Sequence, residues 1–190
     1  MQAHRAELRK ELRQRRRALT VEQQKAASFG LCNILIESGV LVGNQRIALY
    51  LANDGEIDPV QLLHYLWREN KNCYLPVLVD HHGMVFAEYC PDTQLVTNRF
   101  GIDEPAQHSA DVLTPEQLDL MLLPLTGFDL SGGRLGMGGG FYDRALAGGR
   151  ERPMLIGLAH ECQKVDKIPA ESWDMPLVAV ATDRHFYSFC

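Results

Sequence analysis

An apolar run, Leu120-Met121-Leu122-Leu123-Pro124-Leu125, leads through Gly127-Phe128-Asp129 into Gly132-Gly133-Arg134-Leu135-Gly136-Met137-Gly138-Gly139-Gly140-Phe141-Tyr142-Asp143-Arg144. A short apolar run bounded by Pro and Gly reads as a buried strand, and Phe141 to Leu146 can open a helix. The glycines therefore fall on a strand-to-helix connection. Without a Cβ the backbone there can take positive φ and turn successive N–H groups toward one anion, helped by the positive end of the following helix. Arg134 and Arg144 would add charge-assisted contacts to phosphate oxygens. The stretch is a candidate phosphate cradle.

Neither common nucleotide fingerprint accounts for it. Gly133 and Gly138 have the spacing of a P-loop's glycines, but Gly139-Gly140 stand where Lys and Ser/Thr belong. Gly136-Met137-Gly138 would need a third glycine at the position of Phe141. A flexible linker is the bland alternative, but linkers are Ser/Gly-rich and lack interleaved Arg, aromatic and Asp residues.

The 190 residues, 46% hydrophobic and 23% charged, suffice for one domain spanning 1–190 with a sizeable core. A net charge of -5 argues against a nucleic-acid partner, since such affinity is mostly phosphate neutralisation. No stretch approaches the roughly 18 apolar residues of a membrane span, and no signal-like segment opens the chain, so a cytoplasmic monomer is expected. Cys32, Cys73, Cys90, Cys162 and Cys190 are odd in number and never spaced C-x-x-C, which suggests neither a disulfide framework nor a zinc site.

Residues 4 to 19 read as a helix with Leu8 and Leu12 one turn apart and Arg5, Arg9 and Arg13 on a neighbouring face. On spacing alone this basic face is solvated. Thr20-Val21-Glu22-Gln23 has capping-box form, predicting a second helix to Ser38-Gly39 with Phe29, Leu31, Ile34 and Leu35 as apolar contacts. Ile47 to Leu51 is the first buried strand. The loop after it carries Glu56, and Asp58-Pro59 opens a helix with Val60, Leu63 and Trp67 inward. A loop at the carboxyl end of a strand is a preferred ligand site; Glu56 can accept hydrogen bonds from the N–H groups of a flat heterocycle, or simply be solvated.

Further strands are expected at 73–78, 84–89, 154–159 and 178–181, with turns at Asp80-His81-His82-Gly83 and Gly148-Gly149-Arg150-Glu151. Residues 90–111 are irregular, and Phe100 offers a stacking face. His160-Glu161 begins like a zinc-protease motif, but Lys164 occupies its fifth position. The order of elements predicts an α/β protein, a three-layer sandwich with a mixed, largely parallel sheet flanked by helices.

Gly127-Phe128-Asp129, Gly133-Arg134-Leu135-Gly136 and Gly138-Gly139-Gly140-Phe141-Tyr142-Asp143-Arg144 resemble the signature of the 5-formyltetrahydrofolate cyclo-ligase (5,10-methenyltetrahydrofolate synthetase) family. The resemblance implies ATP- and magnesium-dependent closure of 5-formyltetrahydrofolate, bearing one or more glutamates, to 5,10-methenyltetrahydrofolate. It implies that Arg134, Leu135, Gly136, Met137, Gly138, Gly139, Gly140, Phe141 and Tyr142 face ATP, with Arg134 and Tyr142 catalytic. Arg5 and Arg9 would match the family's Lys-x-x-x-Arg pair near the phosphates, arginine replacing lysine at the first position. Leu51, Glu56 and Phe141 would contact the folate, and Asp143 would bind Mg2+, unless it merely caps its helix. A second metal carboxylate of many members is replaced by Val178, with Asp174 and Asp183 nearby. The competing readings are a non-catalytic folate or nucleotide sensor, an RNA-associated module on the same fold, and an ATP-dependent kinase or ligase with another acceptor.

Overall fold

The computed structural model describes residues 2–79, 83–99, 101–106, 112–147, 152–169, 171 and 175–189. The expected turns at 80–82 and 148–151, together with Phe100 and Asp174, lie outside the described residues. The chain opens with two helices, α1 (Gln2–Arg17) and α2 (Val21–Glu37), before the first strand, β1 (Arg46–Ala48). Next come α3 (Val60–Arg68), β2 (Asn72–Val79), β3 (Gly83–Glu88), and the short strands β4 (Leu95–Thr97), β5 (Asp103–Pro105) and β6 (Val112–Leu113). The second half contains β7 (Leu120–Pro124), the hairpin β8 (Gly127–Phe128) and β9 (Arg134–Leu135), and α4 (Phe141–Leu146). It closes with β10 (Met154–Leu158), β11 (Ala179–Ala181) and β12 (Phe186–Ser188).

Eight strands form one sheet in the order β12-β11-β10-β7-β1-β2-β3-β6. The central five are parallel; β12 at one edge and β3 toward the other run antiparallel to them, and β6, pairing antiparallel with β3, runs with the central strands again. From β1 the chain crosses through α3 to β2 on one side, whereas β7, β10 and β11 advance on the other. The strand order thus reverses between β1 and β7, which is where open α/β sheets bind ligands, outside the carboxyl ends of the strands.

The apolar run at 120–125 is explained by burial on both faces. Leu120 and Leu122 point into a core with Leu31 and Leu35 of α2 and Leu62 and Leu66 of α3. Met121 and Leu123 point the other way, toward Phe86, Phe128 and Leu146 of α4. Each fully buried side chain of this size contributes about 1.5–3 kcal/mol. Helices therefore cover one face, and α4 with the β8–β9 hairpin covers the other.

The capping box forms: the Thr20 hydroxyl accepts from the Gln23 N–H (3.2 Å), and the Gln23 side chain accepts from the Thr20 N–H (2.8 Å). Asp58 receives the Val60 N–H (2.9 Å) at the start of α3. Other expectations are corrected. Phe29 is 47% exposed. In α3 the buried face is Leu62, Leu63 and Leu66, with Val60 and Trp67 half-buried. Regular β1 ends at Ala48, though the Leu49 N–H still bonds to the Tyr74 carbonyl (3.0 Å). The irregular stretch contains a two-stranded ribbon, β4–β5, missed because β4 is exposed throughout and shows no alternation. Cys32 and Cys73 are buried free thiols, and Cys90 is exposed. Among the described residues no helix is long and apolar enough to cross a membrane.

α1 lies across the carboxyl ends of the central strands. Its Leu12 joins Leu135 and Ile168 in a small separate cluster. A Cβ on Gly127 would overlap Leu12, so the glycine just after β7 lets α1 approach.

Candidate active site

A cleft of about 1120 Å³ opens at the point where strand order reverses. The loop after β1 supplies Leu51 and Glu56, and the loop after β7 supplies Arg134, Gly136 to Gly140 and the start of α4. α1 contributes Arg5 and Arg9. Of the residues expected at the site, only Leu135 lies off the lining: its side chain is fully buried against α1, and its carbonyl accepts the Thr126 N–H.

On the wall after β7, Gly138 has φ +99°, and a Cβ there would meet the Arg9 guanidinium at 3.6 Å. Arg9 Nε donates to the Gly136 carbonyl (2.9 Å), and Arg5 Nη1 donates to the Pro169 carbonyl (2.5 Å). The arginines expected on one solvated face thus diverge to separate loops. Arg144 sits over the Phe141 ring, 5.0 Å from its centroid. With only six residues, α4 adds little dipole, so anion attraction rests on the loop backbone and the arginines.

Arg134 is 8% exposed, and its Nη2 donates to the Asp143 carboxylate. Asp143 is therefore not the helix cap; Gly140, left-handed, holds that position. The Nε of Arg134 is buried with no acceptor among the described residues. An unsatisfied buried donor costs about 1–3 kcal/mol, so the guanidinium is incompletely served by the described residues. Tyr142 faces the cleft, and its hydroxyl makes no hydrogen bond among the described residues. Burial, with the Glu56 charge, pushes its phenol well above the ordinary range, so it remains a neutral donor.

On the facing wall, Glu56 accepts the Asn53 N–H (3.1 Å), and its other oxygen lies 3.7 Å from Arg16 Nη2. Burial pushes the Glu56 carboxyl up, and Arg16 pulls against that. Asp54, in a left-handed conformation, is gripped by Arg13, Arg16 and Arg17. Burial opposes its charge, but the hydrogen bonds from these arginines outweigh it and hold Asp54 down at about 2. Gly55 has φ +74°, a conformation L side chains rarely adopt, and a Cβ there would make ordinary contact with the Arg16 carbonyl oxygen at 3.4 Å. Its own carbonyl is met by Gln24 Nε2 (3.3 Å) and His160 Nε2 (3.2 Å).

Three residues escaped sequence reasoning. Arg16 is fully buried, although it sits in a run of arginines; its i+4 spacing from Leu12 was the available signal. Asp129 is 1% exposed and accepts the N–H groups of Ser131 (2.8 Å), Gly133 (2.9 Å) and Ile168 (2.6 Å), so it shapes the hairpin turn rather than a ligand. His160 is buried beneath the Glu56 loop; its sequence context offered only an incomplete zinc-protease motif and no sign of this position.

For a metal, the described residues hold no cluster of three His, Cys, Asp or Glu side chains. Asp143, with 28% of its side chain exposed, is the carboxylate at the Arg134 end of the cleft. Val178 is half-exposed and off the lining. Asp183 is occupied by the Glu161 N–H (2.8 Å) and by Arg184, also away from the cleft. This donor set fits an ion that takes one protein carboxylate and draws its remaining ligands from phosphate and water, the habit of magnesium.

Fold and cleft define an α/β protein whose binding site is assembled from two strand-end loops and an N-terminal basic helix. The chain belongs to the 5-formyltetrahydrofolate cyclo-ligase family, whose profile matches residues 1–183. It is thus a ligase of folate metabolism. It is 44% identical over 174 residues to the 5-formyltetrahydrofolate cyclo-ligase of Escherichia coli strain K12, covering 90% of this chain and 96% of that one. The Haemophilus influenzae protein of the same name is 42% identical over 176 residues, covering 91% and 94%. The solved structure of Aquifex aeolicus 5,10-methenyltetrahydrofolate synthetase superposes with a TM-score of 0.81 at 28% identity, covering 97% of this chain and 92% of that one.

Proposed function

We propose that this chain, acting as a single domain in the cytoplasm, closes 5-formyltetrahydrofolate to 5,10-methenyltetrahydrofolate with ATP and Mg2+, releasing ADP and phosphate. The observation that carries the proposal is the meeting in one cleft of a mostly buried carboxylate, Glu56, and a glycine loop flanked by Arg9 and Arg134. A folate needs the first and a polyphosphate the second.

The formyl oxygen is a poor leaving group. Transfer of the γ-phosphoryl group to it creates an activated carbon that N10 attacks, and phosphate departs as the ring closes. The protein's part is positioning and charge stabilisation. The backbone from Gly136 to Gly140 holds the phosphates, and the orphaned Nε–H of Arg134 gains an acceptor there. Arg9 and Arg5 add positive charge from α1. Glu56 accepts hydrogen bonds from the pterin, with Leu51 and Phe141 packing on the rings. Tyr142, held neutral, donates its hydroxyl hydrogen toward the formyl oxygen. Asp143 would hold the magnesium ion, which when bound shields phosphate charge.

The test is to mix the protein with 5-formyltetrahydrofolate, ATP and magnesium and follow the methenyl product by its near-ultraviolet absorbance, omitting ATP as control. ATP-dependent product is the expected result. Folate or ATP binding without product would favour a sensor, and ATP turnover only with a different acceptor would favour another ligase or kinase.

A further inference from the structure

α1 has one side chain that reaches both walls of the cleft. Arg16 is fully buried. Its Nε donates to the Asp54 carbonyl (2.9 Å) and its Nη2 to the Asp54 carboxylate (2.9 Å). The same Nη2 lies 3.6 Å from Met137 Sδ in the glycine loop, and Nη1 lies 3.5 Å from the Leu125 carbonyl at the end of β7. Glu56 is its second anionic neighbour, at 3.7 Å.

A buried carboxylate stays ionised only where something offsets the loss of water. The groups facing Glu56 are Arg13 and Arg16 from α1, Asp54 from its own loop, Tyr50 from the segment just after β1, Tyr142 from α4, and His160 against the loop backbone. Both tyrosines are kept neutral by burial, which also disfavours a charge on His160. Arg13 donates its Nε to Asp54 (2.7 Å) and acts on Glu56 more weakly than Arg16 does. Arg16 is the cation in direct reach of the Glu56 carboxylate.

We propose that Arg16 is a positioning residue for the reaction: without touching substrate, it holds Glu56 ionised and aimed at the cleft, and so sets the affinity for the folate. The inference rests on the folate reading above. It assigns Arg16 a role apart from Arg5 and Arg9, which line the cleft directly.

The experiment is an equilibrium titration of 5-formyltetrahydrofolate, without ATP, from pH 5 to 9. The proteins are the wild-type chain, Arg16→Met, Arg16→Lys, Glu56→Gln and the Arg16→Met/Glu56→Gln double variant. Folate affinity in the wild-type chain falls as Glu56 takes up a proton. In Arg16→Met the midpoint of that fall moves up by about one pH unit or more, because an adjacent opposite charge has been removed. Arg16→Lys, which keeps the charge but not the fork, lies between the two. Glu56→Gln binds weakly with no such midpoint, and adding Arg16→Met to it costs nothing further.

A merely structural Arg16 gives a different result: affinity lost by the same factor at every pH, with losses that multiply in the double variant. That outcome overturns the proposal. If Arg16→Met does not fold, Arg16→Gln, which also removes the charge, is titrated in its place, and a midpoint left at the wild-type pH overturns the proposal equally. A folded wild-type chain that binds no 5-formyltetrahydrofolate overturns the folate reading itself, a result distinguishable from both.

Discussion

Arg134 and Asp143, nine positions apart, close the glycine loop on itself through a direct guanidinium–carboxylate contact. In the proposed reaction each is drawn to a different partner, the arginine to phosphate and the aspartate to magnesium. The contact therefore keeps two opposite charges folded against each other in a partly buried place until substrates share them.

Arg134→Ala is expected to lower kcat by about 10²–10³, in the range seen when one preorganised charge-stabilising donor is removed. The dissociation constant for 5-formyltetrahydrofolate should change far less. Steady-state kinetics alongside direct folate titration checks this, and an unchanged turnover number would refute the assignment.

Asp143→Asn keeps the shape of the side chain and removes the charge that would meet magnesium. The magnesium concentration needed for half-maximal activity should rise about tenfold or more, with folate affinity unaltered. A magnesium titration at fixed ATP decides it; an unmoved half-maximal point would place the ion elsewhere.

Acid should weaken the fold through two carboxylates. Asp54 and Glu161 are both held down at about 2, each against the opposing effect of burial. Asp54 is held by Arg13, Arg17 and Arg16, and Glu161 by Lys164, Thr182, Tyr187 and His185. Unfolded carboxylates titrate near about 4, so the stability they contribute is fully present above that pH and is lost as pH falls toward about 2. Melting temperature followed from pH 7 to 2 should fall less steeply in Glu161→Gln than in the wild-type chain.

Thr20→Ala removes the hydroxyl of the α2 capping box, which does not line the cleft. Urea unfolding should show a loss of about 1 kcal/mol, while folate turnover is retained.

The legible parts of this chain were those where one residue type answers to one local demand. Thr20 and Gln23 could be paired on paper because a capping box is local in sequence, and Leu120 to Leu123 announced a strand buried on both faces. The glycine loop was recognisable for the same reason, with its arginines and Asp143 carried in one stretch. What escaped depended on distant chain. Asp143 read as a magnesium ligand or a cap, and its contact with Arg134 stayed hidden because the loop that brings them together lies between them. Arg16 looked like surface because its three neighbours in the run are arginines or, at Gln14, polar; only the loop of Asp54 and Glu56 folding over it makes it interior. The β4–β5 ribbon, with three residues in each strand and β4 exposed throughout, left no period to find.

α1 shares little of the two large cores; Leu12 belongs to a cluster of its own with Leu135 and Ile168. Yet this helix carries Arg9, Arg13, Arg16 and Arg17, which fasten both loops of the cleft. Docking of the helix and completion of the site are therefore one event. A chain folded everywhere but in its first helix would keep its sheet and its layers, yet have a gap where its substrates meet.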